Sequence, residues 1–141
     1  MEYVRFQGKG LTRTGDHAGI FGLVNVMGRN GMLTPGEEKF WRENNTWYSA
    51  ACPDPGQIDP GVFDRAVNPH AAAWFKATAS HLIERIPGYL AILDAHHIAW
   101  EQLRTSDPGV IIYADDCQVV AIPHPAPQHD RLPGGPPQAS S

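Results

Sequence analysis

The stretch TPGEEKFWRENNTWYSAAC, residues 34–52, decides how the middle of this chain folds. It opens with a helix start signal, since Thr34 can cap the N-terminus, Pro35 takes the first helical position and Glu37 completes a capping box. At 100° per residue the apolar side chains then fall on one side, and the charged and hydroxyl-bearing side chains take the other. The sequence therefore predicts an amphipathic helix that packs an aromatic stripe against the rest of the protein.

A polar side chain interrupts this aromatic stripe. The stripe consists of Phe40, Trp41, Trp47, Tyr48, Ala51 and Cys52. Asn44 projects from its middle, with Asn45 on its flank. A carboxamide in apolar surroundings needs hydrogen-bond partners or costs about 1–3 kcal/mol.

The partners of Asn44 are either backbone groups or a bound ligand. If they belong to a ligand, then Trp41, Asn44, Trp47 and Tyr48 form the wall of a binding pocket, with flat apolar faces and a few directed polar groups. If they are backbone groups or a buried water, the helix simply packs on a sheet. We therefore predict these four residues as candidate ligand-binding residues, with ordinary packing as the alternative.

Composition narrows the class of protein. The chain has 141 residues, of which 42% are apolar and 18% charged, as expected for one globular domain with a genuine core. The net charge is −4 and the basic residues do not cluster, which argues against a nucleic-acid partner. No apolar run approaches the roughly 18–20 residues of a membrane span, and the N-terminus lacks the pattern of a signal peptide.

The cysteine count bears on location. With no signal peptide, Cys52 and Cys117 are predicted to be reduced thiols of a cytoplasmic protein. Eight arginines stand against three lysines, alongside many alanines, glycines and prolines, which is typical of a GC-rich bacterial genome.

Three blocks of sequence predict the fold. Residues 3–6 and 19–27 are predicted as two strands around a glycine-rich loop, and residues 98–103, 110–113 and 118–122 as an antiparallel meander. Between them the pattern predicts helices, which are placed at residues 34–52, 59–66, 68–86 and 89–96. Together these elements predict an α+β domain over residues 1–122: an antiparallel sheet of about five strands with the central helices on one face. The N-terminal pair could join the meander at either edge. Residues 123–141 are rich in proline and are predicted to be a disordered tail.

The loop at residues 12–19 is a second candidate site. It combines a guanidinium, two hydroxyls, a carboxylate and an imidazole between glycines, and such groups can hold a carboxylate or phosphate. No phosphate-loop motif is present, so a solvated hairpin loop is the alternative. Arg13 is predicted as a ligand-binding residue and His17 as the candidate catalytic residue.

Other catalytic and metal-binding patterns are missing from the sequence. His96 and His97 are adjacent and therefore diverge, while His70 and His81 lie about 16 Å apart on the predicted helix. No HxxxH, HExxH, CxxC or GxSxG pattern occurs, so we expect no metal, no cofactor and no nucleophile elbow.

These observations favour a cytoplasmic binding or interaction domain that holds a small organic ligand or a partner segment in the aromatic–amide pocket. A small transferase or isomerase is the first alternative, with His17, His96 or His97 as the proton carrier. A partner-neutralising, immunity-like protein whose aromatic surface is exposed until bound is the second. The expected partners are a small organic ligand, a partner protein or a second copy of the chain, and not nucleic acid or membrane.

Overall fold

The computed structural model describes residues 1–125. The strands are β1 (Tyr3–Gly8), β2 (Ala72–Lys76), β3 (Trp100–Thr105), β4 (Val110–Ala114) and β5 (Gln118–Ile122). The helices are α1 (Ile20–Arg29), α2 (Pro35–Ala51), α3 (Pro55–Ile58), α4 (Ser80–Ile83) and α5 (Ile86–Ala95). All but the first three residues of the predicted tail lie outside the described residues.

The five strands form one antiparallel sheet in the order β3-β1-β2-β5-β4. The α+β class, with a five-stranded antiparallel sheet and helices, is therefore confirmed. The predicted C-terminal meander is wrong, because β3 pairs with β1 and lies at the opposite edge from β4. Only β4 and β5 form the expected neighbouring pair. Strand β3 pairs with a strand that is distant in the sequence, and the local sequence pattern does not indicate such a pairing.

The predicted strand at residues 19–27 is helix α1. Its buried side chains are Ile20, Val24 and Met27, spaced four and three residues apart, while Val26 is exposed. This spacing is that of one helix face. Other apolar residues in this run hide the helical spacing of the buried ones. A short apolar run of this kind is typical of both a buried strand and a helix.

The long helix predicted at residues 68–86 is also wrong. Its first half is strand β2, followed by the short helix α4 and then α5. Asn68, predicted as a helix cap, donates through Nδ2 to the carbonyls of Gly61 and Val62. His70 then adopts a positive φ of 62°, which prevents a helix from continuing through it. The short helix predicted at residues 59–66 is a series of turns.

Helix α2 begins and ends close to the predicted bounds. Thr34 accepts a hydrogen bond from the Glu37 backbone, and the Glu37 side chain accepts one from the Thr34 backbone, so the capping box is confirmed. Helices α1, α2 and α5 cover the face of the sheet that carries Val4 and Phe6. Tyr89 of α5 is fully buried at the centre of this layer.

Cys52 and Cys117 form a disulfide between the end of α2 and the turn before β5. The prediction of two reduced thiols is therefore wrong. Sixty-five positions separate the two cysteines in sequence, so nothing in the local pattern of either one indicates that they meet. The bond fastens the helical layer to the β4–β5 side of the sheet.

Candidate functional site

The aromatic stripe of α2 packs against glycines in the neighbouring helices. A Cβ atom added to Gly28 of α1 would lie 2.5 Å from the Trp41 ring, and one added to Gly88 of α5 would lie 2.1 Å from Phe40. Both aromatic rings therefore occupy space that only glycine leaves open. The Trp41 indole nitrogen also donates to Oδ1 of Asn25 at 2.8 Å. Trp41, predicted to line a ligand pocket, is held by the protein itself.

Asn44 is satisfied by groups of the protein. Its Nδ2 donates to the Phe40 carbonyl one turn earlier at 2.9 Å, and its Oδ1 accepts from Arg85 at 3.1 Å. The Arg85 guanidinium also lies over the Trp47 ring, 3.8 Å from its centroid. The cation–π contact and the hydrogen bond hold Arg85 on the surface of this helix. Asn44 and Trp47 thus share one charged neighbour.

Tyr48 and Asn45 point into the helical layer. The Tyr48 hydroxyl donates to the Leu82 carbonyl, and burial raises the pKa of Tyr48 well above its usual value. Asn45 accepts from the Tyr89 hydroxyl at 2.7 Å and donates to Asn25 at 2.9 Å. Asn45, on the flank of the predicted stripe, is therefore the asparagine that bonds to the buried Tyr89. The sequence pattern indicates Asn44 instead, because the centre of a helical stripe is usually its most buried position.

The sheet forks between β1 and β2. These strands pair only at Tyr3 with Lys76 and Val4 with Phe75. Farther along β1, residues 18 and 19 replace β2 as its neighbour: the Gly8 amide donates to the Ala18 carbonyl, and Gln7 forms an isolated bridge with Gly19. We call this region the fork; it comprises residues 5–8, 16–22 and 71–75.

Arg5 lies across the fork. Its Nη1 donates to the Ala73 carbonyl of β2 and its Nη2 to the His17 carbonyl of the loop, both at 2.9 Å. Its Nε donates to the Gln7 side chain at 2.9 Å. Burial lowers the pKa of Arg5, and the negative charge of Asp16 partly offsets this effect. A largely buried cation thus bridges the two branches through neutral acceptors.

A cavity of about 470 Å³ opens at the fork. Its aromatic walls are Phe6, Phe21, Phe63, Trp74 and Phe75, and its polar lining residues are Arg5, Asp16, His17 and Gln118. Alanines of β2 and glycines at the start of α1 complete the lining and leave the space unfilled. This combination of apolar walls with a few polar groups is typical of a small-molecule site.

His17 presents one free nitrogen at this cavity. Its Nδ1 lies 2.9 Å from the Gly8 carbonyl oxygen, which can only accept, so Nδ1 carries the hydrogen. In the neutral ring Nε2 is then an acceptor. His17, the candidate catalytic residue predicted in the loop, therefore lines this cavity. Arg13 is exposed on the same loop, and the guanidinium at the cavity belongs to Arg5.

Asp16 fastens the loop to the segment that precedes β2. Its carboxylate accepts from Thr14 and Arg65 at 2.9 Å each and is in contact with Nδ1 of His70. The hydrogen bond from His70, followed by those from Arg65 and Thr14, holds the pKa of Asp16 far below its usual range. These contacts tie the loop that carries Asp16 to Arg65 and His70, which precede β2.

A second cavity of about 550 Å³ lies behind Phe21, Phe75 and Gln118, which line both spaces. Its other lining residues include Tyr48 and Asn45. Of the four residues predicted to form a pocket wall on α2, Tyr48 therefore lies beside a cavity. Gln118 donates to the Pro53 carbonyl at 2.7 Å, and this hydrogen bond holds its side chain between the two cavities.

One group in residues 1–125 has the spacing of a metal site: Cys52, Asp115 and Cys117. Both sulfur atoms are joined in the disulfide and are not available as thiolates. None of the helices described here has the length and apolar character needed to cross a membrane. Comparison with known protein families, curated proteins and solved structures yields no significant match.

Proposed function

We propose that this protein is a small-molecule-binding domain whose site is the cavity at the fork. The observation that carries the proposal is the union, in one 470 Å³ space, of aromatic walls with the side chains of Arg5 and His17. The volume lies within the range of about 300–1,000 Å³ that is usual for such sites. Packing accounts for the stripe on α2, so we move the predicted site from Trp41, Asn44, Trp47 and Tyr48 to the fork.

The proposal can be tested by filling the cavity from its rim. Gly22 of α1 lines the cavity, and a Cβ atom added there meets no heavy atom within 4 Å. Gly22→Leu adds a large side chain at this lining position, and leucine is a better helix former than glycine. Gly36→Leu on α2 is the matched control, since a Cβ atom there also meets nothing within 4 Å.

Ligand-observed NMR with a library of small aromatic and aliphatic compounds is the measurement. We expect compounds that bind the wild type and the Gly36→Leu protein, and that lose binding to the Gly22→Leu protein. Native mass spectrometry of freshly purified protein provides a second measurement of a retained molecule. Hits that bind all three proteins alike would place the site elsewhere and overturn the proposal.

An enzyme is the second candidate, favoured by the state of His17. Its Nδ1 donates to the Gly8 carbonyl, so in the neutral ring Nε2 is the nitrogen that can accept a proton from a bound substrate. His17→Asn retains an amide donor for Gly8 but has no basic nitrogen. If His17 acts as a base, this variant should bind substrate with similar affinity and lose turnover. Equal turnover in both proteins would remove His17 from this role.

The remaining predictions concern partner and location. A partner protein, a second copy of the chain and a cytoplasmic location stay predictions. The cytoplasmic prediction rested on the missing signal-peptide pattern, and reduced cysteines were its consequence. The Cys52–Cys117 disulfide argues against it, because disulfides persist mainly in oxidising compartments.

A further inference from the structure

We infer that the fork cavity takes a monocarboxylate with an aromatic or branched aliphatic body. This inference rests on the proposed function and names its ligand class. It is carried by the charge of Arg5, by the other charges around the cavity and by the character of its walls.

Arg5 bears a charge that the described residues do not pair directly. Its three hydrogen bonds go to two carbonyl oxygens and one amide oxygen, and none goes to a carboxylate. A guanidinium has five N–H donors, so two remain. A buried cation without a counterion is costly, and burial already lowers the pKa of Arg5. A ligand carboxylate accepting the two free donors would offset this cost.

The acidic side chain at the cavity is already engaged by other groups. Asp16 is the acidic side chain in the lining, and its carboxylate contacts Arg65, His70 and Thr14. The hydrogen bonds of Arg5 go to neutral acceptors instead, so no carboxylate of the described residues bonds to Arg5. The start of α1 adds positive partial charge, because its first turn contains no acidic residue and Gly19 offers no side-chain cap.

The walls select the body of the ligand. Phe21, Phe63 and Phe75 offer ring faces and edges, so an aromatic or branched aliphatic group gains from burial there. The two free donors of a single guanidinium match the two oxygens of one carboxylate. A phosphate carries more charge and more acceptor oxygens than these donors satisfy.

The experiment compares ligands that share one body. The probes are 3-phenylpropanoate, its primary amide 3-phenylpropanamide, and 2-phenylethyl phosphate, titrated by calorimetry into the wild-type protein at pH 7. A carboxylate pairs its charge with Arg5 and offers two equivalent oxygens, whereas the amide offers one neutral oxygen, so the acid should bind about tenfold more tightly than the amide. Its affinity should also fall as salt is raised.

Two variants locate the interaction. Gly22→Leu should abolish binding of the acid, whereas Gly36→Leu should leave it unchanged. Arg5→Gln should reduce the preference for acid over amide to about unity. If Arg5→Gln fails to fold, as circular dichroism will show, the ligand series and the Gly22 variant still decide the question.

Each outcome has a definite meaning. Equal affinity for acid and amide, both lost in Gly22→Leu, overturns the carboxylate inference and leaves the binding function intact. Tighter binding of the phosphate assigns the site to a different ligand class and also overturns it. Acid that binds Gly22→Leu as well as wild type overturns both proposals. Absence of binding by the acid overturns the carboxylate inference, and the library screen then judges the binding function separately.

Discussion

The aromatic stripe of α2 and the fork between β1 and β2 both place a polar side chain among aromatic rings, with opposite results. In the stripe, Asn45 finds Tyr89 and Asn25, so the protein itself satisfies this amide although a cavity lies beside it. In the fork, Arg5 finds only neutral acceptors, and a cavity lies next to it. A polar group that interrupts an apolar pattern is therefore not itself a sign of a site. Unbalanced charge beside unfilled space is the more specific sign.

The difference comes from backbone geometry. The Phe40 and Trp41 rings of helix α2 pack closely on glycines of the neighbouring helices, and hydrogen bonds within the protein engage the polar groups of the stripe. At the fork the strands separate after two residue pairs, and side chains as small as alanine line the gap. We therefore attribute stability to the α2 region and propose ligand binding at the fork. Variants in each region test this division.

The largest effect is expected from the disulfide at the end of α2. The double variant Cys52→Ala, Cys117→Ala frees a chain segment of 65 positions in the unfolded state. We expect the free energy of unfolding to fall by about 2–4 kcal/mol, measured by urea denaturation. Wild-type protein reduced with a dithiol is the control and should lose a similar amount. Ligand affinity at the fork should stay within about twofold; a larger loss would contradict the division.

Two glycines of α1 should respond in opposite directions to alanine. Gly28→Ala drives a Cβ atom to 2.5 Å from the Trp41 ring and should destabilise the protein by about 1–3 kcal/mol. Gly22→Ala meets open space and should stabilise it by up to about 1 kcal/mol through helix propensity. Thermal and urea unfolding measure both. Equal changes at the two positions would show that α1 is not tightly packed on α2.

Asn45 and Asn44 provide a comparison within the stripe. Asn45→Leu strands the hydroxyl of the fully buried Tyr89 and should cost about 1–3 kcal/mol. Asn44→Leu leaves the exposed Arg85 to water and should change stability by less than about 1 kcal/mol. Urea denaturation of the two variants measures the difference. A larger cost at Asn44 would return the functional question to the centre of the stripe.

The smallest effect is a pH dependence at the mouth of the fork. Because hydrogen bonds from His70 and Arg65 lower the pKa of Asp16 in the folded protein, its contribution to stability is present above about pH 4 and is lost as the pH falls below that value. The stability difference between wild type and Asp16→Asn should therefore shrink as the pH falls below about 4.

Carboxyl NMR titration of Asp16 is the direct measurement for this pH dependence. Its midpoint should lie below the usual aspartate range and move upward in His70→Gln, because the hydrogen bond from His70 is the largest cause of the shift. A midpoint near 3.9 in the wild type would show that the loop is not held by these contacts.

Parts of the fold and of the candidate site could be predicted where local chemistry decides the conformation. The capping residues and the stripe of α2 were sufficient for that helix, and His17 was identified from the mixture of groups in its loop. Arg5 was not, because alternation along β1 places it on the opposite face from Val4 and Phe6 as an ordinary strand residue. Its importance depends on the divergence of β2, which occurs some seventy positions away.

The sequence by itself determined the α+β class, the helix at α2 and the pairing of β4 with β5, since each follows from neighbouring residues through capping, periodicity and turns. Only the tertiary structure decided that the apolar run after Gly19 is a helix, that residues 72–76 are a strand, and that the two cysteines meet. It also decided which of two adjacent asparagines bonds to the buried Tyr89, and it created the fork. Contacts between distant segments settle these features, because short apolar stretches take the conformation that their surroundings can bury.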